Sequence, residues 1–211
     1  MKLYDCAIAP NPRRLRIFLA EKGIEIPKIE VDLLNGENLQ PEFLALNPRG
    51  LVPTLELDDG TRFDEVMAIC RYFEELHPEP RLLGRTPVER ALVEAQQRKV
   101  EFDGMIAGSE VFRNQNPAFA ARSLPGTGGQ PTNAIPALVE RGTATLQRFF
   151  ADLEQTLSNH AFLVGDAFTM VDITAFCAID FAGWSDIAIP AGNTGTRAWY
   201  DRIAARDSAT A

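Results

Sequence analysis

The chain has 211 residues, 45% of them hydrophobic and 24% charged, which is enough for an ordinary packed core in one large domain or two small ones. Lys and Arg number 21 against 29 Asp and Glu, and the resulting net charge of −8 argues against a nucleic-acid or anionic-membrane partner. No apolar run approaches a membrane span, and the first residues lack the apolar core of a signal peptide. Cys6, Cys70 and Cys177 are widely spaced, so a cytoplasmic protein with buried thiols, no disulfide framework and no metal is expected.

Up to Leu76 the chain alternates strand and helix signals. KLYDCAI (2–8) is short and β-prone, with Cys6 inside it. A helix is predicted from Pro12 to Lys22, with Leu15, Phe18 and Leu19 on one face and Gly23 as its stop. IPKIEVDL (26–33) reads as a second strand, giving a βαβ unit with parallel strands. Residues 41–45 read as a helical turn. PTLEL (53–57) alternates like a half-buried strand, Asp59-Gly60 is a strong hairpin turn, and TRFD (61–64) returns antiparallel. A helix over 65–76 then turns Val66, Ile69, Cys70 and Phe73 inward. This order, β-α-β-α-β-β-α, is a thioredoxin-like arrangement.

The pattern changes at HPEPRLLGRTP, where three prolines and a glycine in eleven residues read as a linker. Domains are therefore expected at 1–78 and 87–211, with residues 79–86 between them. Beyond the linker no strand is legible. One long helix is predicted from Pro87 to about Asn114, with Thr86 as its N-cap. SLPGTGGQPTN (123–133) reads as a flexible loop, and apolar residues recur at helical spacing over 135–157. Thr169 and Asp172 have capping-box spacing at the head of TMVDITAFCAIDFAG, and RAWYDRIAAR closes the chain as a helix. The second domain is all-α.

Three stretches carry a resemblance that spans nearly the whole chain: APNPRRLRIFLAEKGI (9–24), NPRGLVPTLELDDGTRFDEVMAICRYFEE (47–75) and FLVGDAFTMVDIT (162–174). The sequence resembles the cytosolic glutathione transferases, and most of all a fungal and proteobacterial branch with an APNPRR-type first helix. The resemblance implies a thioredoxin-like domain that binds glutathione, a helical domain that supplies an apolar pocket for a small electrophile, and a homodimer. Glutathione is then a co-substrate and no metal is needed. Pro53 would be cis, and Val52, flanked by Leu51 and Pro53, would offer its N–H and C=O to the cysteinyl backbone like an added strand. The helix start at Glu65-Val66 would receive the γ-glutamyl carboxylate, and Glu65 would accept from the γ-glutamyl ammonium. Taken alone, Pro53 could simply begin an edge strand and Asp64-Glu65 simply complement a helix dipole.

The sequence departs from its relatives at the thiol-activating and carboxylate-binding positions. The usual serine after Glu65 is Val66, and Asn38 stands where some relatives place a histidine for the glycyl carboxylate. The serine or cysteine of several classes falls on Ala9. Asn11 is the candidate thiolate donor through its NH₂, with a plain N-cap role as the competing reading. In FRNQNP (112–117), Arg113, Asn114 and Asn116 are candidates for the second-substrate pocket or sulfur contact, or else form a solvated helix end. His77 and His160 receive no role. The function implied is conjugation of glutathione to small electrophiles, or its use to reduce peroxides or disulfides. The alternative is a module that kept the fold and binds ligands or proteins without catalysis.

Overall fold

In the computed structural model, which describes residues 1–211, the strand signals of the first part of the chain pair into one four-stranded mixed sheet ordered β2-β1-β3-β4. β1 (Lys2–Asp5) runs parallel to β2 (Lys28–Glu30), and the hairpin β3 (Thr54–Glu56) and β4 (Arg62–Asp64) completes the sheet antiparallel. The parallel pair is joined by α1 (Pro10–Glu21), and α2 (Pro41–Leu44) precedes β3. β2 is shorter than the sequence suggested, because it is an exposed edge strand and only three residues hold the ladder. β1 ends one residue before Cys6, which is buried just beyond it rather than within the strand.

Register decides what meets at the sheet's end. Tyr4 pairs with Thr54 and Thr54 with Asp64, so the chain leaves β1, approaches β3 and leaves β4 at the same edge of the sheet. Three connections therefore gather there: residues 6–9, residues 51–53, and Glu65 at the head of α3 (Val66–Leu76).

The second half is helical throughout. α4 (Pro87–Val100) is capped by Thr86, whose hydroxyl accepts from the Glu89 N–H at 3.1 Å. It continues through a π-helical segment (Glu101–Ile106) into α5 (Ala107–Gln115), so the single predicted helix carries one widened stretch at its middle. α6 (Pro136–Leu157), α7 (Met170–Gly183) and α8 (Thr194–Ala204) follow, and a 3₁₀ turn (Asp207–Thr210) ends the fold against α1. α7 is apolar all round because it is the central helix. Its capping box is formed as the spacing predicted. Asp172, fully buried, accepts from the Thr169 N–H at 3.0 Å, the Leu163 N–H at 3.1 Å and the Trp199 Nε1–H at 3.0 Å.

The two halves share one core. A single cluster of 36 buried residues takes in Leu15 and Phe18 of α1, Ile69 and Phe73 of α3, and most of α7. Val66 belongs to it with only 4% of its surface exposed, so its side chain packs the core. Removing its two methyls and burying a hydroxyl loses about 2 kcal/mol. Val66→Ser should therefore lower the melting temperature by roughly 4–8 °C. Thermal unfolding of variant and wild type side by side checks this, and coincident melting curves would show that the valine is not a core residue.

Candidate functional site

The gathered connections present a set of unengaged backbone groups. Val52 precedes a cis peptide bond to Pro53, and neither its N–H nor its C=O meets a partner within the chain. The carbonyl just before it is engaged. The Leu51 carbonyl accepts from the Asn47 amide at 3.0 Å and the Thr54 hydroxyl at 3.0 Å, and Asn47 also reaches Asp64 at 3.0 Å. Asn47, 5% exposed, thus locks the loop that carries Val52 to the end of β4.

Beside it, α3 opens without a cap. Glu65 holds φ 68°, a left-handed conformation that is uncommon outside glycine, and its side chain makes no capping bond. The N–H groups of Val66 and Met67 therefore meet no acceptor, and the positive end of the helix is open to an anion. The Glu65 carboxylate stays exposed, 3.2 Å from the Arg49 guanidinium. An extended chain bearing a carboxylate next to an ammonium group would find complements here: unpaired main-chain groups at Val52, helix N–H groups at Val66 and Met67, and a carboxylate at Glu65.

Asn11 lies across the same end of the sheet. α1 begins at Pro10, two residues earlier than predicted, and its N-cap position is Ala9, which has no side chain able to cap. Asn11 is thus inside the first turn, and the N-cap reading is corrected. Its Oδ1 accepts from Arg14 at 2.8 Å, while its exposed side chain leaves the NH₂ free. Cys6 is no rival as a sulfur nucleophile, since it is 2% exposed and burial pushes its thiol up. Ile8, Phe102 and Ile106, each about half exposed, supply apolar surface on the loop before Asn11 and on the π-helical segment beyond Glu101.

Other expected site residues turn out to hold the framework. Asn38 donates to the Gly50 carbonyl at 2.7 Å and buries its Oδ1, so one of its N–H groups braces the loop around Gly50. Gly50 (φ 64°) allows that approach, since a Cβ there would lie 2.9 Å from the Asn38 carbonyl oxygen. Asn114 is engaged at both ends: it donates to the Glu110 carbonyl at 2.8 Å and accepts from the Ile135 N–H at 2.8 Å, which ties α5 to the head of α6. Asn116 caps the short 3₁₀ turn Pro117–Phe119 through the Ala118 N–H at 3.0 Å. Arg113 donates to the Arg122 carbonyl at 3.0 Å and stacks on Phe119, and burial lowers its pKa to about 10. The expected sulfur contact from Asn114 is therefore corrected, since its amide is engaged at both ends, whereas Asn116 engages only its Oδ1.

Two features were not legible beforehand. The glycine-rich connection from α5 to α6 packs against the sheet domain instead of standing free. A Cβ at Gly128 (φ 59°) would lie 2.5 Å from the Pro48 carbonyl oxygen, and one at Gly126 would lie 3.1 Å from the Arg49 guanidinium. At Gly128 only glycine lets the backbone come that close. The other feature is Arg14 of α1, which is only 3% exposed.

Comparison with known proteins agrees with this geometry. The family model described as glutathione S-transferase, N-terminal domain matches residues 8–76, and that described as glutathione S-transferase, C-terminal domain matches residues 127–207. Glutathione S-transferase 2 of Saccharomyces cerevisiae is 33% identical over 99% of this chain and 87% of its own length. Glutathione S-transferase 3 of Zea mays is 31% identical over 98% and 90%. The crystal structure of a glutathione S-transferase domain-containing protein from Marinobacter aquaeolei superposes with a TM-score of 0.89 at 34% identity, covering 99% of this chain and all of that one. With both family domains in order and full-length relatives above 30% identity, the chain belongs to the glutathione S-transferase family.

Proposed function

We propose that the protein binds glutathione along Val52 and the head of α3 and transfers its sulfur to small apolar electrophiles. The observation that carries this reading is the pairing of an unengaged strand edge at Val52 with the uncapped helix start at Glu65-Val66. The cysteinyl backbone of the tripeptide pairs with Val52, its γ-glutamyl carboxylate takes the Val66 and Met67 N–H groups, and its ammonium faces Glu65. This places the sulfur toward the β1–α1 connection, where Asn11 offers its NH₂.

A free thiol has a pKa near 8.5, so at neutral pH a donor is needed to hold the thiolate. The Asn11 amide fills that role in this reading. The thiolate attacks the electrophilic carbon, a C–S bond forms, and the displaced group leaves with the bonding pair or, in an addition, the adjacent carbon takes a proton from water. Ile8, Phe102 and Ile106 hold the apolar body of the electrophile. Losing one preorganised donor to an anion costs about 3 kcal/mol, roughly a hundredfold in rate. Asn11→Ala should therefore slow turnover by that factor and raise the pKa of bound glutathione, with its affinity little changed. The ultraviolet thiolate signal of the complex against pH reads the shift directly. Coincident titrations for variant and wild type would remove Asn11 as the donor.

The same reading carries a homodimer. Leu76, Val88 and Leu92 expose more than half of their surface on α3 and α4, and between these helices lies a groove of about 730 Å³ lined by Met67, Arg71, Arg90 and Glu94. Association through this face in C2 symmetry buries apolar side chains that otherwise meet water. Light scattering at micromolar concentration should return twice the mass of one chain, and the mass of one chain would contradict it.

A further inference from the structure

We propose that Arg14 is a positioning residue for the thiol: its guanidinium fixes the Asn11 amide with the NH₂ turned outward, and it does so only while the two halves of the molecule are docked. This rests on the reading of Asn11 as the sulfur donor and adds what makes that donor effective.

An asparagine side chain presents an oxygen or an NH₂ depending on how its amide is turned. Facing a thiolate, the NH₂ stabilises and the oxygen repels. An arginine has only donors, so the Asn11 atom 2.8 Å from Arg14 NH1 must be the oxygen. The NH₂ is then directed away from the guanidinium, on the exposed side of α1.

Arg14 has no freedom to let the amide turn. Its side chain is 4% exposed, and each of its nitrogens is committed. NH1 goes to Asn11, NH2 to Glu101 Oε1 at 2.5 Å, and Nε to Thr174 Oγ1 at 3.3 Å. Two of these three partners belong to the helical half, Glu101 where the π-helical segment begins and Thr174 on α7. They are themselves braced. Gln97, fully buried, donates to Glu101 at 3.1 Å and to Thr174 at 2.9 Å, and Arg98 holds the other Glu101 oxygen at 2.8 Å. The other arginines of α1 are committed elsewhere, Arg13 to Asp180 and Arg16 to Asp5, and leave Arg14 undisturbed. The widened helical turn at Glu101 thus carries both the carboxylate that seats Arg14 and the apolar side chains Phe102 and Ile106.

A double-variant cycle tests this, with the thiolate titration of bound glutathione and steady-state rates as readouts. Arg14→Met keeps the length of the stem and removes the fork. It should raise the thiol pKa in the same direction as Asn11→Ala and lower kcat by roughly ten- to hundredfold, with the glutathione dissociation constant little changed. In the Asn11→Ala background it should add nothing further, because its effect passes through that amide. Arg14→Lys keeps the charge without the three-way fork, so it should behave like the methionine variant. A full rescue by lysine would mean that the charge acts directly on the sulfur, and would overturn the proposal. So would additive shifts in the double variant, or a wild-type titration for Arg14→Met. Should Arg14→Met not fold, Glu101→Ala, whose side chain is 16% exposed, releases the fork from its far end and is expected to show the same non-additivity with Asn11→Ala. An Asn11→Ala titration that matches wild type removes the donor itself. That result is separate from one in which Asn11→Ala shifts and Arg14→Met does not, which removes only the positioning.

Discussion

Three arginines in four residues of α1 are set into the seam between the sheet and the helices, and their hydrogen bonds decide how the site is held. Charged side chains this far from water are costly unless their donors are satisfied, and a pair left incomplete costs several kcal/mol. Arg14 and Arg16 are 3% and 8% exposed. Arg16 binds Asp5 at 2.9 Å, the Ala7 carbonyl at 2.8 Å and the Ala211 carbonyl at 3.1 Å. Arg13 pairs with Asp180 and lies over the Phe176 ring. An apolar seam of this size would tolerate a small rotation of α1. The directional demands of three guanidinium forks do not. The head of α1, with Ala9 at its N-cap and Asn11 in its first turn, is therefore as fixed as the interface beneath it.

The same seam explains how a site lacking the usual hydroxyls and thiols can still be organised. Ala9 offers no donor, Val66 is turned into the core, and Asn38 braces Gly50. What is left facing the cleft is mostly main chain: the Val52 peptide groups and the first N–H groups of α3. Backbone recognition tolerates side-chain change because its geometry comes from the fold, here from the Tyr4, Thr54 and Asp64 register and the Asn47 amide. Of the polar side chains in the proposed site, Asn11 accepts from the buried Arg14, and Glu65 pairs with Arg49 at the surface.

Much of the fold was legible because it depends on local patterns. Alternation located β3, Asp59-Gly60 located the hairpin, and Thr169 with Asp172 marked the head of α7. Helix boundaries slipped where a proline misled: Pro12 looked like a helix start, but Pro10 already occupies that position. The site was legible in its backbone and less so in its side chains. An amide that lines a cleft and an amide that ties two turns together look alike in sequence, so only its partners show that Asn114 belongs to the framework. Arg14 was missed for the opposite reason. Its burial depends on Glu101 and Thr174, residues 87 and 160 positions away, and no local period encodes that. The glycine-rich connection was read as flexible because only the approach of Pro48 shows what the glycines are for.

In the proposed complex, glutathione lies along Val52 with its carboxylate at the head of α3 and its sulfur at Asn11. A crystal structure of the protein soaked with glutathione tests it most directly. The account predicts the cysteinyl N–H and C=O within hydrogen-bond distance of the Val52 carbonyl and N–H, the γ-glutamyl carboxylate on the Val66 and Met67 N–H groups, and the sulfur within reach of Asn11 Nδ2. A tripeptide bound elsewhere, or seated at Val52 with its sulfur turned away from Asn11, would contradict it.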